Sequence, residues 1–193
     1  MLGTVTVASS LGQLGPGALT VVAAVLATAQ GRPGATGWLL AAIAVGGLFG
    51  SLWWTWRPAA TERAARTVMF ALLGIGTPLA LAAAVTSSLP ATAALFAVSG
   101  LFLGPFTGAL FTVREDRAPE AARAQVFTIS AGLKTTAAAA GAALGGAIAG
   151  FAAPVQLLLV AGSPLLAGLL GSLVLPRRFG AASTSRAMRS SLP

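Results

Sequence analysis

Polar residues in this chain are confined to short interruptions between long apolar runs. Six runs are long enough to cross about 30 Å of hydrocarbon as helix, at roughly 20 residues each. They cover residues 4–28, 35–56, 63–86, 90–113, 121–151 and 154–176. The breaks read QGRPGATG, RPAATER, TSSLPA, REDRAPEAAR and FAAPV, and each holds a proline, which ends or restarts a helix. The pattern predicts an all-α polytopic membrane protein of six transmembrane helices over residues 1–176. The remaining stretch, 177–193, is Ser- and Arg-rich without periodicity and predicts a disordered basic cytoplasmic tail.

Composition agrees with the pattern. Charged residues make up 8% of the 193 and hydrophobic ones 56%, whereas a soluble domain carries roughly 25% charged. Too little charge remains to cover a water-facing surface, so the lipid bilayer is the expected environment. All four tryptophans fall on the second run, Trp38 at one end and Trp53, Trp54 and Trp56 at the other. Eighteen helical steps separate Trp38 from Trp56, about 27 Å, which matches two aromatic belts at the membrane interfaces.

Charge placement gives an orientation. With both termini cytoplasmic, ten arginines fall on the inner side and Arg32 alone on the outer. The same division among short segments, with no aromatic interleaving, argues against nucleic acid despite the net charge of +8. Arginine outnumbers lysine eleven to one and alanine is abundant. That usage fits a GC-rich bacterial genome, hence a multi-pass protein of the bacterial cytoplasmic (inner) membrane.

The inventory of reactive groups is small. Histidine, cysteine and tyrosine are absent, and the acids are Glu62, Glu115, Asp116 and Glu120, all in predicted cytoplasmic loops. No metal site, cofactor site, nucleophile–base pair or carboxylate pair at membrane depth can be assembled from them. An enzyme is therefore not expected.

Glycine and proline at membrane depth are plentiful instead. The first run holds GQLGPGAL, and the fourth SGLFLGPFTGALF, in which Gly100, Gly104 and Gly108 lie four apart on one face. Such a row lets helices approach closely. The third and sixth runs carry Pro78 and Pro164. Runs one and four thus match, as do three and six, the pattern of two three-helix repeats with interrupted helices beside a substrate path. Lys134 is the one charge inside FTISAGLKTTAAAAGAALGGAIAG, counted about 15 Å along the helix from Ala124 and so near mid-membrane. It points to the side of Gly141 and Gly145, toward a close contact or a cavity. A charge there costs at least about 2.5–3.5 kcal/mol, which favours a position facing water or a partner. The residues assigned to a substrate path are Lys134, Gln13, Pro16, Gly104, Pro105 and Thr107, with Gly100, Gly104, Gly108, Gly141 and Gly145 for helix packing.

At this point the chain resembles the C-terminal six-helix half of a major facilitator superfamily transporter, over roughly residues 4–176. The resemblance is carried by the six-helix count, by GSLWWTWRPAATERAAR between runs two and three, by GLFLGPFTG, and by RAPEAARAQVFTISAGLKTTAAAAGAALGGAIAG. It marks Gly50, Arg57, Arg63 and Arg66 as a cytoplasmic loop motif, although Trp54 stands where the family places an Asp. The resemblance implies alternating-access movement of a small organic molecule in the export direction. Because the family has twelve helices, it also implies a partner, either a parallel second copy or a separate N-terminal half. Two other readings stay open: a non-transporting scaffold or truncated fragment, and the membrane half of an ATP-driven importer with REDRAPEAAR as its docking segment.

Overall fold

The computed structural model describes residues 12, 14–56, 61–117 and 123–190, and among these all regular structure is helical. The helices are α1 (Leu14–Ala29), α2 (Ala35–Trp56), α3 (Thr61–Ala82), α4 (Leu89–Leu101), α5 (Leu103–Arg117), α6 (Arg123–Ala147) and α7 (Ala153–Ser190), with a 3-10 turn at Ala83–Val85. Each predicted run holds a helix. The fourth is divided into α4 and α5, and α7 continues through 177–190, for which composition predicts disorder.

Four stretches are long and apolar enough to cross a membrane, namely Ala35–Trp56, Arg63–Val85, Leu89–Val113 and Ala153–Leu173. The other two predicted spans differ. In the first, α1 is an apolar helix of 16 residues as described. In the fifth, α6 has 25 residues but is made of Ala, Gly, Thr and Lys134 as much as of large apolar groups.

The division of the fourth run follows from Pro105. Lacking an N–H, Pro105 cannot bond to the carbonyl of Leu101. Phe102 takes a tighter step there, its N–H bonding to Ser99 O at 3.2 Å. The freed Leu101 carbonyl is met by Gly50 of α2, whose missing side chain admits it. Pro164 leaves α7 unbroken by a related device. The carbonyl it frees, Val160 O, faces Gly15 of α1 and accepts from Ser163 Oγ at 3.4 Å, while Gly15 N–H donates to Ser163 Oγ at 2.8 Å. In both places a glycine and a local hydrogen bond replace the helical bond that proline removes.

The core is built around α3, which packs on α7, α5 and α4. Val68, Leu72, Ile75 and Leu79 of α3 are buried with Phe96, Phe106, Leu110 and Leu157.

The close backbone approaches repeat in register. Between α1 and α6, Gly141 meets Leu14, Gly17 meets Ala138, and Gly145 meets Ala18. Between α4 and α2, Gly46 meets Ala97, Gly100 meets Ile43, and Gly50 meets Leu101. Each α1 residue is 83 positions before its α4 counterpart, and each α6 residue 95 after its α2 counterpart. The third pair, α3 with α7, maps onto itself. Gly76 meets Leu165 and Ala161, Gly168 meets Leu73 and Met69, and the offset is 92 in every case.

At these crossings two three-helix units, α1–α2–α3 and α4/α5–α6–α7, correspond residue by residue. Numbers rise together along α2 and α4, so these run parallel, while the short Gln30–Gly34 turn sends α2 back against α1. Thus α1 and α4 run in opposite directions, and the repeat is inverted. Gly17 and Gly100, Gly46 and Gly141, Gly50 and Gly145, and Gly76 and Gly168 are equivalent pairs. The prolines, which the sequence offers as the matching feature, are not. Pro16 corresponds to Ser99, Pro105 to Val22, Pro78 to Leu170 and Pro164 to Leu72.

Candidate functional site

The glycine row of the fourth run faces α2. Gly100 lies against Ile43 and Gly47, Gly104 against Gly50 and Ser51, and Gly108 under the indole of Trp54. Gly141 and Gly145 serve α1 in the same way. This arrangement removes Gly104 from an open path, because α2 covers it. Gly50 likewise belongs to the α2–α4 crossing, not to a loop. Arg63 and Arg66 are exposed at the start of α3, while Gln13 and Arg57 lie outside the described residues.

The remaining path candidates divide into two places. Pro16 is half-buried on α1. On the other side, the Lys134 ammonium sits over the ring of Phe106 at 5.3 Å from its centroid, beside half-buried Pro105 and exposed Thr107. Phe106 is 1% exposed, so its ring is a fixed face of the core. A cation over such a ring gains roughly 0.5–2 kcal/mol, the larger figure when water is excluded.

The repeat also gives Lys134 a register. Ala35, the first residue of α2, corresponds to Ser130, so Lys134 lies four positions into the segment of α6 equivalent to α2. Its own counterpart is Leu39, which is fully buried. Lys134 therefore occupies an inward-facing position of the repeat, near one end of the bundle.

The opposite end is tied by side chains that the sequence reading does not single out. Gln30 at the end of α1 donates to Thr86 O in the α3–α4 turn. Thr92 Oγ1 donates to Val85 O at 3.1 Å and Ser88 O at 3.0 Å. Gln156 Nε2 donates to Phe151 O at 2.7 Å and Ala149 O at 3.2 Å in the α6–α7 turn. These bonds satisfy carbonyls that helix ends leave open. Gln30 and Gln156, amides at the two ends of predicted apolar runs, are the visible signal for this role.

Within α2, Gly46 and Gly50 form a second spacing of four that the sequence also displays, in GGLFG. Among the described residues no three His, Cys, Asp or Glu side chains are placed to hold a metal ion. Comparison with family models, with curated proteins and with solved structures finds no match for this chain.

Proposed function

We propose that the chain is a six-span membrane transport subunit, a half-transporter of the major facilitator type that moves a small organic molecule by alternating access in the export direction. The observation that carries this reading is the inverted repeat, in which α1–α2–α3 and α4/α5–α6–α7 correspond at their glycine crossings. Inverted repeats with interrupted helices are a recurrent construction of secondary transporters, and in the major facilitator type a three-plus-three inverted repeat is nested within each six-helix half. The division at Phe102, with Pro105 just beyond it, supplies the interrupted helix. A parallel second copy or a separate N-terminal half completes the pathway across the exposed faces of the bundle.

Purified protein in liposomes is expected to exchange an internal substrate library for external counter-substrates, and to run in nanodiscs at a mass above that of one chain. A particle of one chain with sealed liposomes and no exchange would favour the scaffold reading instead.

The proposal includes both termini on the cytoplasmic side and the bacterial inner membrane as location. The chain has no cysteine, so Arg32→Cys and Arg117→Cys can each be labelled alone with an impermeant maleimide. Arg32→Cys is expected to react from outside intact cells and Arg117→Cys only after permeabilisation. Reaction of both from the same side overturns the topology.

A further inference from the structure

The inverted repeat makes α2 and α6 equivalent, yet the bundle holds them differently. Leu39 of α2 belongs to the apolar core, and Leu40, Ala42, Ile43 and Trp54 pack against it. Among the described residues α6 contributes nothing to that core. Its exposed positions include Ile129, Leu133 and Leu144, and Gly132 and Gly146 open onto empty space. What α6 makes is a smooth crossing on α1, where Gly17, Gly141 and Gly145 let backbones touch without interlocking side chains. Four residues before the start of that crossing comes the Lys134 ammonium over Phe106 of α5. In α2 the same position is filled by buried Leu39, and further along the indole of Trp54 locks over Gly108.

We propose that Lys134 is a tether: its ammonium on Phe106 sets the position of α6 against α5, and α6 is the movable helix of the bundle while α2 is the fixed one. A backbone crossing through glycines can act as a pivot because no side chain has to disengage when the helix turns. Helices with few buried apolar contacts are also those that open first in native-state exchange. A cation–π contact is of the size of a few times thermal energy, strong enough to bias the position of a helix.

The test uses the whole chain in nanodiscs, with spin labels on Thr107→Cys and Thr135→Cys to report the α5–α6 distance. A second pair, Thr55→Cys and Thr107→Cys, reports α2 against α5. Lys134→Met is expected to lengthen and broaden the α5–α6 distribution and leave the α2–α5 pair unchanged. Lys134→Arg, which keeps a cation over the ring, is expected to retain the parent distribution, and Phe106→Leu to reproduce the effect of Lys134→Met. An unchanged α5–α6 distribution in Lys134→Met overturns the tether, and so does an equal change in both pairs, which would mean general loosening. The parent chain offers a test without any variant. Amide exchange across 134–137 is expected to be at least about tenfold faster than across the equivalent α2 segment 39–42. Equal protection of the two segments overturns the assignment of α6 as the movable helix.

Discussion

Gly104→Leu is expected to destabilise the bundle by at least about 3 kcal/mol, at the top of the range for overpacked sites. A Cβ at Gly104 falls on the backbone of Gly50 and Ser51. Backbone atoms inside a helix cannot move aside as a flexible side chain can, so α2 and α5 must separate. Gly132→Leu and Gly146→Leu are the controls, since a Cβ at either position meets nothing within 4 Å. Each is expected to stay within about 0.5 kcal/mol of the parent, as surface changes usually do. Reversible unfolding in mixed micelles measures all three. If Gly104→Leu were as stable as Gly132→Leu, the α2–α5 crossing would not have the geometry described.

Phe106→Ala is expected to be of similar severity, about 3–5 kcal/mol, for a different reason. The ring is fully enclosed, and truncation loses its packing while leaving a cavity the surrounding helices only partly fill. Lys134→Met is expected to change stability by no more than about 1 kcal/mol, because losing the cation–π contact is offset by removing a charge from within the bundle. The contrast separates the two partners: Phe106 is a core residue that also receives the lysine, and Lys134 sets position with little effect on stability. The same unfolding assay decides it. A cost for Lys134→Met as large as that for Phe106→Ala would make the lysine a structural residue first.

The positions of the helices were legible in the sequence because the bilayer length and proline set them locally. Six apolar runs divided by proline-containing breaks needed no knowledge of neighbours, and the helices lie where the runs are. The glycine row Gly100, Gly104 and Gly108 was legible too, since a spacing of four puts residues on one helical face whatever that face meets. The absence of histidine and cysteine was equally plain, whereas three acids expected in loops lie in helices, Glu62 at the start of α3 and Glu115 and Asp116 at the end of α5.

Which faces meet was decided only by the tertiary structure. In a chain whose helices are apolar on nearly every side, hydrophobic periodicity carries no direction inward, and small residues show that a close contact is possible without naming the partner. So Gly50, which resembled part of a loop motif, lies in a helix crossing, and Gly104 is covered by α2. Proline behaved the same way. Pro105 divides its span and Pro164 does not, because a freed carbonyl is tolerated according to what neighbouring helices offer it. The surroundings of Lys134 also depended on tertiary register, because only the equivalence of α6 with α2 pairs it with buried Leu39, and only the fold brings Phe106 of α5 beneath its ammonium.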